Sequence, residues 1–259
     1  MATYTNSTRS TSIVTSTGGV AWVDGDSVYL NQGYDDYSGG MSMPSIDLTL
    51  LHLTDGFKGN FTSALNLEAT TLKIESASTI LAFTSTAPGV FDEVWVRPTN
   101  AACQISWVSC TVTLAYQYSG TQLYYDSATL TTYQQHGGQQ TLDEGGTAVT
   151  TGNQYGGITY LNRDIGTLNC YGGKTIVNST SCSPTTVNVR GGEFIIDGLS
   201  GNIGTLNADS GIVDFSKLAV SITVSTRAFG PGVKYVPPRA GITVTFTTNN
   251  DYAGGPRYS

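Results

Sequence analysis

Three successive segments between residues 165 and 215 repeat one pattern, and that repeat leaves the chain few ways to fold: IGTLNCYGGKTIVN, TTVNVRGGEFIID and IGTLNADSGIVDF. With Leu168, Val187 and Leu206 in register the step is 19 residues each time, with Thr167, Thr186 and Thr205 before the anchor and Asn169, Asn188 and Asn207 after it. A small or apolar residue follows (Cys170, Val189, Ala208), then a turn at Gly172-Gly173, Gly191-Gly192 and Ser210-Gly211. Alternation resumes beyond the turn, with Thr175 and Val177, Phe194 and Ile196, and Val213 and Phe215 on one parity. Period-two patterning that is broken by glycine, renewed, and returned to the same register describes one coil of a parallel β-helix.

Two consequences follow from stacking such coils at the ~4.8 Å spacing of paired strands. Leu168, Val187, Leu206, Phe194 and Phe215 become columns of a continuous core, and Asn169, Asn188 and Asn207 become a ladder of side-chain amides. The register extends, less cleanly, to anchors at Leu50, Leu72, Val94, Val112, Leu130 and Val149 upstream and at Ile222 and Val244 downstream. The expected fold is therefore all-β, a single-chain parallel β-helix solenoid of about 10 coils of 16–22 residues.

The ends differ from the body. Residues 1–19 are rich in Ser and Thr and carry no repeat, which reads either as an arm that orders against a partner or as a frayed tail. Tyr4, Arg9, Ile13 and Val14 are the side chains such an arm offers for contact. Residues 20–45 read as an entry cap, 46–248 as the β-helix body and 249–259 as a C-terminal tail. The stretch FGPGVKYVPPRAG, with three prolines that cannot donate to a ladder, is expected to close the helix.

Composition narrows the function. A net charge of −7 leaves no basic stripe to displace counterions from phosphates, so no nucleic-acid partner is expected. No apolar run of about 18 residues exists, and the first residues lack a signal-peptide pattern, so neither a membrane partner nor export is expected. Cys103, Cys110, Cys170 and Cys182 lack the close spacing of a zinc site, and His52 and His136 are not placed near them. They read as reduced thiols, Cys170 as a core residue. Asp24, Asp26, Asp35 and Asp36 match neither an EF-hand nor a nonapeptide calcium repeat and read as turn residues. No metal and no cofactor is expected.

Catalysis was sought in the carboxylates. Asp126, Asp143, Glu144 and Asp164 lie at similar offsets from their anchors, as the paired acids of a glycosidase would, but Gly145-Gly146 places them in a solvated loop. Arg190 and Asp209 share an offset on adjacent coils and read as a surface ion pair. His136 stands at a glycine corner with no nucleophile motif nearby. The chain is not expected to be an enzyme.

The segments GDSVYLNQGYDDYSGG, IDLTLLHLTDGFKGN and TTLKIESAS, leading into the GTLN…GG coils, resemble a group of β-helical virion proteins of tailed bacteriophages. The resemblance covers most of the chain after Val20 and rests on turn glycines and core positions. It implies a structural role as a capsid cement or decoration protein on the phage head, made in the host cytoplasm and bound to the major capsid protein. More distant β-helical proteins of this kind are tail fibres and tailspikes that bind or cleave host polysaccharide. The outward row of Ile176, Ile195 and Asp214 is suited to packing around an axis, which leads to the expectation of a homotrimer.

Overall fold

The computed structural model describes residues 3–6, 16–17, 20–21, 24–30, 37–38, 46–58, 61–63, 67–125, 127–198, 201–252 and 256–258. Among them there is no helix; the strands stack in parallel as a β-solenoid of about ten turns, with one antiparallel pair, Ser16–Thr17 against Val20–Ala21. The chain divides into two compact units, Met1–Thr131 and Thr132–Ser259.

The second unit contains the sequence repeat. The strands Ile165–Cys170, Thr186–Ile196 and Ile203–Asp214 pair so that Leu168, Val187 and Leu206 are in line, and Asn169, Asn188 and Asn207 beside them. Leu168, Val187, Leu206, Phe194 and Phe215 are fully buried. Burying side chains of this size contributes roughly 1.5–3 kcal/mol each. The two glycines of each corner do different work. Gly173 and Gly192 have φ of 70° and 68°, which a Cβ disfavours. At Gly172 and Gly191 a Cβ would come within 2.4 Å of the carbonyl oxygens of Tyr155 and Tyr171 in the preceding coil.

Upstream of the repeat the anchors shift. Leu168 pairs with Gly152, while Val149 pairs with Ile165, because the corner at 162–164 is three residues shorter than the one at 143–148. A glycine can hold a core position there because the buried ring of Tyr133, its partner in the previous coil, fills the space: a Cβ on Gly152 would lie 2.4 Å from Tyr133 Cζ. Downstream, Leu206 pairs with Arg227, not Ile222, which pairs with Val244. The proline-rich stretch does not end the ladder: Val244–Asn249 adds a further strand, and Arg257–Tyr258 pairs with Lys234 and Tyr235. Arg227 closes this region, its guanidinium 4.3 Å from the Phe246 ring and donating to both carboxylate oxygens of Asp251.

In the first unit, the stack runs Val28, Leu51, Leu72, Val94 and Ala115. The anchor at Leu50 is thus one residue off, and Leu50 falls in the outer register of Thr71 and Glu93. In a strand a slip of one exchanges the faces. Val112 likewise aligns with Phe91, three residues from the Val94 column. Thr3–Asn6, inside the stretch read as an arm, pairs in parallel with Ser27–Leu30. Two long strands, Ile80–Val96 and Gln104–Gln117, run side by side with a register shift next to Ser109, whose φ is 54°. Their core is aromatic. Trp107 stacks on Phe83 at 4.7 Å and on Tyr124 at 5.8 Å and meets Phe91 edge-on. Buried Gln122 accepts hydrogen bonds from Trp107 Nε1 and Tyr124 OH, each 3.0 Å, so the polar atoms of both rings are satisfied inside.

Candidate functional site

The outer face of the first unit carries the densest chemistry. Alternation along strands Ile46–Leu53, Leu67–Ile74, Ile80–Val96 and Gln104–Gln117 sends every second residue outward, and pairing aligns Tyr29, His52, Lys73, Trp95 and Tyr116 in one column. Glu75, Arg97 and Tyr118 stand just beyond it, and Thr71 and Glu93 just before it. Thr71, Lys73, Glu75, Glu93, Trp95 and Arg97 line a groove of about 420 Å³. Tyr116 stacks on Trp95 at 4.2 Å and 17°, and Arg97 lies 5.1 Å from the Trp95 ring and 4.1 Å from the Tyr118 ring. Glu75 is engaged by His52, whose Nε2 is 2.8 Å from its carboxylate. Lys73 and Glu93 make no hydrogen bond or ion pair through their side chains among the described residues, and the Arg97 guanidinium meets only the two rings. A Trp wall with unspent donors and acceptors at its rim can take a flat, polyhydroxylated or charged ligand.

The second unit has two outward features. Along strands Gln139–Leu142, Ile158–Leu161, Lys174–Val177 and their successors, Tyr160, Ile176, Ile195, Asp214 and Val236 align in a column, with Lys174 paired to Glu193 at 2.9 Å beside it. At the glycine corners His136, Tyr155 and Tyr171 stack ring on ring at 4.8 and 4.9 Å, followed by Arg190, 5.9 Å from the Tyr171 ring. Arg190 and Asp209 are 3.9 Å apart and each more than half exposed, which is a solvent-screened surface pair.

The asparagine ladder is continuous: Asn207 donates to Asn188 at 3.0 Å, Asn188 to Asn169 at 2.9 Å, and Asn169 to Asn153 at 2.9 Å. Asn153, across the shorter coil, was not placed in the ladder from the sequence. Of the arm residues, Tyr4 is described only in its backbone, which pairs with Val28; Arg9, Ile13 and Val14 lie outside the described residues.

The acids considered for catalysis serve the corners. Glu144 accepts from Ser179 Oγ, Asp164 accepts from the Ser183 amide at 2.7 Å, and the backbone oxygen of Asp143 accepts from buried Arg163 at 2.8 Å. Asp126, Asp35 and Asp36 lie outside the described residues. Asp24 accepts from the Asp47 amide at 3.1 Å, a contact between adjacent coils, and among the described residues no group of His, Cys, Asp or Glu is arranged to hold a metal. All four cysteines are free and buried; burial pushes all four thiols up, Cys103 to about 11 and Cys110 and Cys170 to about 12, which disfavours the thiolate at each. No helix among the described residues is long and apolar enough to cross a membrane.

The groove was missed by sequence reading, although its signal was present. TLKIE (71–75) and EVWVR (93–97) put Thr, Lys and Glu over Glu, Trp and Arg at matching alternate positions once Leu72 and Val94 are aligned. Comparison with known proteins finds no match among family models, curated proteins or solved structures.

Proposed function

We propose that this chain is a structural protein of a tailed-bacteriophage virion, a capsid cement that binds the major capsid protein at the head surface and stabilises the shell as a homotrimer. The observation that carries the reading is the outward column of Tyr160, Ile176, Ile195, Asp214 and Val236, apolar at every position but Asp214 and with Ile195 already buried. On a rigid stack of coils, aligned apolar residues make a flat strip that gains by being covered, and three copies around an axis cover it symmetrically. The work is mechanical: coils held by side-chain ladders resist deformation, and no step of it needs a nucleophile or an acid. The resemblance drawn from GDSVYLNQGYDDYSGG, IDLTLLHLTDGFKGN and TTLKIESAS is the sequence support for the same reading.

The test has two parts. Sedimentation of the full chain should give a trimer, and Ile176→Asp should give a folded monomer. Mixed with undecorated heads, the full chain should bind saturably at copies comparable to the local three-fold sites, and a version lacking residues 1–19 should bind far less. A stable monomer in the first part, or no binding in the second, defeats the reading. The second reading, a tail fibre or tailspike gripping host polysaccharide, is favoured by the Trp95 groove and predicts few copies per particle and none on the head.

A further inference from the structure

We propose that the groove walled by Trp95 is a saccharide-binding site that prefers a sugar bearing a carboxylate. It rests on the groove that favours the second reading above and deepens that reading, and it is tested apart from head binding.

The indole sets the class of ligand. In the pairing register Lys73 and Tyr116 flank Trp95 on opposite sides, and Tyr116 covers one ring face at 4.2 Å. Trp95 also lines the groove, whose 420 Å³ lies within the ~300–1,000 Å³ usual for small-ligand clefts. A pyranose presents a flat patch of C–H groups that an indole face accepts, with hydroxyls at its rim that need donors and acceptors. The rim supplies them. Glu93 has no partner among the described residues and accepts from hydroxyls, while Lys73 and Arg97 donate.

Geometry then selects within the class. Glu75 is engaged by His52 at 2.8 Å, which occupies its oxygen but leaves its charge, so the lining balances Lys73 and Arg97 against Glu75 and Glu93, and an acid is favoured by the shape of the guanidinium and not by a charge excess. The guanidinium is a planar fork matched to a carboxylate, and stacking between Trp95 and Tyr118 already restricts its motion. An uronate-type residue satisfies fork, lysine and indole together. A nucleotide offers a flat ring and an anion as well, so an oligothymidylate serves as the competing probe.

The experiment is calorimetric titration of the full chain with tetragalacturonate, with cellotetraose as the neutral probe and an eight-residue oligothymidylate as the nucleic-acid probe. Saturable binding of tetragalacturonate is expected, at least tenfold tighter than cellotetraose and weakened by salt. Trp95→Ala should abolish it. Arg97→Gln, at an exposed position that leaves the stack of Trp95 on Tyr116 intact, should weaken the acidic probe about tenfold and the neutral one by no more than about twofold. The proposal is overturned if tetragalacturonate fails to saturate, if cellotetraose binds as tightly, if Arg97→Gln leaves acidic binding unchanged, or if the oligothymidylate binds tighter. Head binding is scored separately, so loss of either result leaves the other standing.

Discussion

The coils between residues 165 and 215 and those between 67 and 124 solve one problem by different means. In the former, register is held at the perimeter: corner glycines that admit no Cβ and an external amide ladder repeat at intervals of 19 residues. In the latter, register is held from inside, by Trp107 wedged among Phe83, Phe91 and Tyr124, while the perimeter is free to vary. A coil defined by its corners repeats its outer residues as well as its inner ones. A coil defined by its core can spend its outer positions on ligand chemistry, and the Trp95 groove is found there.

The largest expected effect sharpens this contrast. Trp107→Ala removes the centre of the aromatic core and should cost about 3–5 kcal/mol in denaturant unfolding, with amide exchange rising first in Ile80–Val96 and Gln104–Gln117. Gly192→Ala attacks the corner-held coils. With φ at 68° and a Cβ that would sit 2.6 Å from the Gly173 oxygen, it should cost about 2–5 kcal/mol. Gly241→Ala, at φ 85° with nothing within 4 Å, meets only the backbone strain and should cost about 1 kcal/mol. Equal losses at the two glycines would mean that close approach of coils does not hold the register.

A smaller effect tests the exchange of bulk between neighbouring coils. Gly152→Ala should cost about 1–3 kcal/mol in the native background and far less beside Tyr133→Ala, since the ring it strikes is gone. An additive double mutant would show that the two positions are independent. The smallest concerns Glu68, which burial and then Asp47, Asp24 and Asp92 hold above its ordinary value. A carboxyl raised in the folded state carries no penalty while protonated, and the penalty grows as pH rises through the unfolded and then the folded value. Glu68→Gln should therefore raise Tm slightly near neutral pH and leave it unchanged at acid pH; a Tm gain of equal size at both would point to another cause.

How much could be read in advance varies with what holds each coil. Leu168, Val187 and Leu206 were legible because identical neighbours mark them. Leu50 was mistaken for the inward residue because Leu51 beside it is equally apolar, and only stacking against Val28 and Leu72 decides between them. Gly152 could not be recognised as a core position, since the atoms that fill its place belong to Tyr133. The candidate groove was half legible: the alternation that sends Lys73 and Trp95 outward is written in the chain, but their meeting depends on a pairing across 22 residues.

What the sequence determined alone is the period, the corners and the inward parity of the repeated coils, because each depends on local rules: alternation in a strand, and turns that only glycine can make. What the tertiary structure decided is which coil lies over which residue wherever corner length changes, and hence which charges and rings share a face. That is a property of stacking, in which a residue's neighbour is chosen by the length of chain between them and by the volume already filled.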